Sequence, residues 1–132
     1  MGLLIVLVGM QCYHPEKMDR SDYLASYITK TNPPVEVRVV LRGTCYNCHS
    51  NTTIYPWYTY VASVIYGLAD HMEEGKEDLN LSDWDGYSAK KKVHKLEEVA
   101  EMVEKEEMPL GAYTWTHAEA RLTKEQKRLI ID

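Results

Sequence analysis

Five residues, Cys45-Tyr46-Asn47-Cys48-His49, constrain this chain more than anything else in it. They lie in the run TCYNCHSN at residues 44–51, where two thiols stand two residues apart and an imidazole follows the second at once. Three chemistries use such a run: a zinc site, a redox disulfide and covalent haem attachment. Each implies a different protein.

Zinc needs four ligands, in most structural sites arranged as two spaced pairs. The motif supplies three in a cramped run, and no second Cys-x-x-Cys or His-x-x-x-His follows, so Cys12, His71 or His117 would have to complete a site. A thioredoxin-type disulfide wants the motif between a strand and a helix of a βαβ unit. Here HSNTTIYPWY follows Cys48, with Pro56 eight residues on. Haem fits better. Two thiols at this spacing can add across the two vinyl groups on one haem edge, which holds the next residue beneath the iron as an axial ligand. Cys45 and Cys48 are then the attachment points and His49 the proximal ligand of one covalent haem c.

The rest of the composition agrees with a single domain. The chain has 132 residues, 45% hydrophobic and 27% charged, with a formal net charge of -5. It lacks the basic block that a nucleic-acid surface requires. Three cysteines are an odd number and too few for a disulfide framework. Leu3 to Met10 is apolar but falls short of the roughly 20 residues that span a bilayer. It reads as a signal peptide or the end of a membrane anchor, with a buried strand or helix start as the alternative. Cys12 follows that run, though VGMQC lacks the small residues of a lipidation site. The expected division is an apolar leader over 1–13, a polar linker over 14–33 and a helical domain over 34–132.

Helical patterns fill that domain. Pro34 suits the first position of a helix ending at Gly43, although the β-branched VEVRVV would also suit a strand. Tyr58, Val61, Val64, Ile65, Leu68 and Met72 form an apolar stripe from Pro56 onward, with Gly75 as the expected stop. Ser82 and Asp85 resemble a capping box for a helix whose stripe is Val93, Leu96, Val99, Ala100 and Val103. A Pro- and Gly-containing loop from Met108 precedes a last helix opened by Thr123, with Gln126 at the box position.

An iron bound by one histidine needs a second axial ligand if it only transfers electrons. Met108, stiffened by Pro109 in its loop, ranks first, ahead of His71 and His117. His94, among lysines, reads as solvated. Trp57, Tyr58, Trp84, Tyr113 and Trp115 are candidate aromatic covers for a large flat cofactor.

At this point the chain resembles a family of small bacterial c-type cytochrome-like haem-binding domains. The likeness rests on Cys45-Tyr46-Asn47-Cys48-His49-Ser50-Asn51, Tyr55-Pro56-Trp57-Tyr58, His71 with Gly75, Asn80-Leu81-Ser82 with Trp84, Met108-Pro109-Leu110, Tyr113 and His117. It runs from about Val35 to Ile131, with Pro15-Glu16 matching the dipeptide after the family's anchor. The resemblance implies an all-α cytochrome c-like domain, exported to the periplasmic side and often membrane-tethered. It also strengthens Met108, because a Met-Pro loop before the last helix supplies the distal sulfur in cytochromes c. The expected function is single-electron transfer with an exported redox partner protein, and not enzymatic catalysis. The alternative is a haem sensor or small-ligand binder with an exchangeable distal site; peroxidase chemistry would likewise need an open iron.

Overall fold

A computed structural model describes residues 2–11, 26–55, 58 and 62–132, and among them the chain is helical with no strand. The all-α expectation holds. The apolar run Leu3 to Met10 lies in α1 (Gly2–Gln11), and no described helix is long and apolar enough to cross a membrane. Residues 26–31, expected in the linker, form α2 (Ser26–Thr31) and bury Ile28 in the core. Asn32, at φ 45, ends α2 in the left-handed conformation that asparagine tolerates, its N–H bonding the Ile28 carbonyl.

VEVRVV is helix, not strand. Pro34 stands one residue before α3 (Val35–Val40), at the N-cap. The helix does not stop at Gly43. It passes through a π-helical turn (Leu41–Cys45) directly into α4 (Tyr46–His49). Such turns insert a residue and rotate the helix face. Here the turn buries Leu41 and Thr44 and ends at Cys45.

The next helix, α5 (Ala62–Asp78), runs three residues beyond Gly75. The expected stop is a contact instead: a Cβ on Gly75 would sit 3.1 Å from the Cys48 carbonyl oxygen, so the missing side chain lets α4 approach α5. Of the expected stripe on α5, Met72 is buried; Val61 and the side chains of Val64, Ile65 and Leu68 lie outside the described residues.

Ser82 does not cap a helix. Its hydroxyl accepts the Asn51 amide, a partner 31 residues away that local pattern cannot reveal. A 3₁₀ turn (Trp84–Gly86) follows, and Ser88 caps α6 (Ala89–Glu104) by accepting from the Lys91 N–H. Along α6 Val103 is buried and Val99 packs on the core, whereas Val93 and Leu96 are 57% and 44% exposed. The expected loop after Met108 contains a short helix, α7 (Gly111–Thr116), and a 3₁₀ turn (Ala118–Ala120). The last helix, α8 (Lys124–Ile131), carries the expected box: Gln126 N–H donates to Thr123 Oγ1 at 3.2 Å, and Thr123 N–H to Gln126 Oε1 at 2.8 Å. It packs along α6, and Lys127 pairs with Glu106.

The core lies on one side of α4. Ile28, Leu41, Tyr46, Leu79, Leu81 and Trp84 form it, with Tyr27 edge-on to Trp84 at 4.9 Å.

Candidate haem site

The helical run through α3 and α4 carries Cys45, Cys48 and His49, and α5 supplies the surface against which they sit. His49 Nδ1 lies 2.8 Å from the Gly75 carbonyl oxygen and 3.1 Å from that of Leu79. Both neighbours only accept, so Nδ1 carries the ring hydrogen and the Nε2 lone pair is left for a metal. This pattern orients a metal-binding histidine and raises its basicity. The Gly75 carbonyl is in the last turn of α5 and that of Leu79 directly follows the helix, so the end of α5 orients the ring.

A polar strap holds the other end of His49. Its carbonyl accepts the Leu81 N–H at 2.8 Å. Asn80 Nδ2 donates to Asn51 Oδ1 at 3.0 Å, and Asn80 Oδ1 accepts the Ser82 N–H at 2.9 Å. Ser50, fully buried, donates to the Tyr46 carbonyl. These residues lie in the quoted segments around Asn51 and Asn80, but only the fold reveals their roles.

Cys45 and Cys48 are not bridged to each other. Burial pushes the Cys45 thiol up to about 12, with Cys48 adding to the rise. Burial also raises Cys48, against the lowering effect of the Lys76 ammonium. A disulfide oxidoreductase needs the opposite, a stabilised thiolate. Burial raises the Tyr46, Tyr58 and Tyr113 phenols and lowers Lys76 as well. In each of these groups burial favours the neutral form.

Beside Cys48 a narrow crevice is lined by Asn47, Thr53, Ile54, Met72, Tyr113 and His117. Met72 escaped sequence reasoning as a site residue, because a methionine on an apolar stripe reads as packing. His117 is 9% exposed and lies on Tyr113 with ring centroids 4.1 Å apart. Its Nδ1 is 3.1 Å from the Tyr113 carbonyl, and its Nε2 is 2.5 Å from the Tyr58 hydroxyl. Nδ1 therefore donates to the carbonyl and Nε2 accepts from Tyr58. Tyr113 in turn accepts from Asn47 Nδ2 at 2.8 Å, tying α7 to the motif itself.

Other candidates lie apart. Met108 is half-buried in a different pocket with Pro109, Thr114, Arg121 and Lys127. His71 is exposed on α5, 3.7 Å from Glu74. Trp84 belongs to the core on the Cys45 side, and Trp115 is 82% exposed. Trp57 and Cys12 lie outside the described residues.

A family model described as a haem-binding domain matches residues 5–132. The chain belongs to the haem-binding domain family. No curated protein and no solved structure matches it. The residues of this haem-binding domain fit the cofactor: two adjacent thiols, an imidazole whose outer nitrogen is already oriented, and a glycine that admits the motif against α5. Among the described residues no three His, Cys, Asp or Glu side chains cluster as a metal-ion site.

The Gly75 contact carries a prediction. Gly75→Val should force α4 away from α5, lengthen the His49–Gly75 bond and lower stability by about 1–3 kcal/mol, the usual cost of overpacking. Thermal unfolding measures the loss. An unchanged midpoint would mean that the close approach carries no weight.

Proposed function

We propose that this haem-binding domain is a c-type electron carrier, with thioethers at Cys45 and Cys48, His49 Nε2 as proximal ligand and Met108 as distal ligand. The observation that carries the reading is the His49 Nδ1–Gly75 bond, which fixes the tautomer a proximal ligand needs. When bound, such a haem supplies a single-electron iron couple, and a thioether ligand favours a raised potential. Cys45 and Cys48 anchor the cofactor's edge. Tyr46 ties the motif to the core, and the Tyr113–His117 stack lines the crevice beside Cys48.

Met108 is taken as distal ligand from the sequence, its Met-Pro step preceding the last helix. It lies in a separate pocket with Pro109, and α7, which follows it, is held to the motif by the Tyr113–Asn47 bond. His117 has both ring nitrogens engaged, which favours a hydrogen-bonding role over ligation. The partner is an exported redox protein and the site of action the periplasmic side, with the apolar N-terminus as a means of export or tethering. A second reading, a haem with an exchangeable distal position, draws on His117 and Tyr58 standing as a polar pair at the crevice beside Cys48.

The test is the visible spectrum of protein matured with a c-type attachment system, before and after acid-acetone extraction. Retained haem with sharp reduced bands supports the carrier, and its loss in a Cys45→Ala, Cys48→Ala variant assigns the thioethers. Met108→Ala should keep the haem but open the iron to carbon monoxide. An unaltered spectrum in that variant would remove Met108 from the distal position. A wild-type spectrum that is high-spin and shifts with carbon monoxide would select the second reading.

A further inference from the structure

Two residues other than glycine take a left-handed backbone among the described residues, Asn32 at φ 45 and Glu106 at φ 62. Asparagine tolerates that conformation, whereas a longer side chain is strained in it. Glu106 stands just past the end of α6, where glycine is the usual residue. The turn there is a complete Schellman motif. The Glu106 N–H donates to the Val103 carbonyl at 3.2 Å, and the Glu107 N–H to that of Met102 at 2.9 Å. The Met108 N–H donates to the same Met102 carbonyl at 3.1 Å. Glycine would make this turn without strain, so the turn itself gives no reason for a glutamate.

The reason lies in what the side chain reaches. The Glu106 carboxylate pairs with the Lys127 ammonium on α8, 21 residues further along the chain. Lys127 is the more enclosed partner, its side chain 26% exposed against 75% for Glu106. Both line the pocket that holds Met108 and Pro109. The segment from Glu106 to Met108 is thus fastened through its backbone to α6 and through one carboxylate to α8.

We infer that Glu106 and Lys127 are positioning residues that latch the Met108 turn to α8 and hold the methionine ready to ligate. The inference rests on the electron-carrier reading, in which Met108 is the distal ligand. Neither side chain meets the iron; both act through Met108. Withdrawal of the methionine requires its turn to move relative to α8, and the ion pair opposes that movement. An exposed pair shifts such an equilibrium by a factor of about two to five. That is enough to read against a competing ligand.

The test titrates imidazole into the oxidised, haem-loaded protein and follows the weak far-red sulfur–iron band, which is lost when imidazole displaces Met108. Glu106→Gln and Lys127→Gln should each tighten imidazole binding about two- to fivefold. The double variant Glu106→Lys, Lys127→Glu should restore the wild-type affinity. Raising salt from about 10 mM to about 300 mM should bring wild type toward the Gln variants and leave those variants unmoved, because screening weakens the pair. Glu106→Gly separates the latch from a purely structural role. Glycine suits the left-handed turn, so the thermal midpoint should not fall, while imidazole should bind as tightly as in Glu106→Gln. A lowered midpoint with wild-type imidazole affinity would make the pair structural only and overturn the latch. Wild-type affinity in both Gln variants, alongside much tighter binding in Met108→Ala, would also overturn it and leave Met108 as ligand. A Met108→Ala variant that binds imidazole as wild type does would overturn the distal assignment itself, and the latch with it.

Discussion

His49→Ala is expected to leave haem on Cys45 and Cys48 through acid-acetone extraction and to abolish the low-spin spectrum. The two effects separate because, on the proposed reading, attachment would use the thiols and ligation Nε2, whose lone pair is left open by the Nδ1–Gly75 bond. The reduction potential should move on the order of 0.1 V or more, since axial ligands tune haem potentials over a range near 0.8 V. Added imidazole should restore much of the low-spin signal by occupying the vacated position, a rescue that mere misfolding would not show. If the spectrum and potential of His49→Ala match wild type, His49 is not the proximal ligand. The Gly75→Val variant complements this test: it perturbs the orientation of the ring while retaining the imidazole, so its spectral change should be smaller.

Trp84→Ala should produce the largest loss of stability, about 3–5 kcal/mol, as for other buried aromatic truncations. Trp84 is 3% exposed and meets Tyr27 at 4.9 Å and Tyr87 at 5.8 Å, so its removal leaves a cavity that the neighbouring rings cannot readily fill. Against a typical total of 5–15 kcal/mol, that loss threatens the fold. Trp84→Phe keeps most of the volume and should cost about 1–3 kcal/mol. Urea unfolding of both variants measures the difference. The folded fraction of Trp84→Phe should keep the wild-type haem bands, because Trp84 packs with the core and does not line the crevice beside Cys48. Altered bands there would give Trp84 a direct part in holding the cofactor.

Much of this molecule was legible in one dimension wherever the deciding interaction is short in sequence. The Thr123–Gln126 box spans three residues, so its two hydrogen bonds could be read from residue types alone. The haem motif is as local: five residues contain both thiols and the imidazole. Gly43 shows the limit of local punctuation. A glycine there reads as a stop, but the π-helical turn continues through it because Leu41 and Thr44 have core to bury against. Gly75 and Ser82 fail for the same reason, since each was assigned a cap while its actual partner lies 27 or 31 residues away, at Cys48 and Asn51.

The sequence by itself pointed to haem, to Cys45, Cys48 and His49 as the candidate residues to hold it, and to an all-α fold, because motif spacing and helical periodicity are properties of neighbours. Tertiary structure alone decided which nitrogen of His49 faces outward, that His117 is occupied by Tyr58 and Tyr113, and that Val93 and Leu96 stand in water. Those outcomes depend on which carbonyls, hydroxyls and helix faces meet across the fold, and only the packed chain brings them within hydrogen-bonding or van der Waals range.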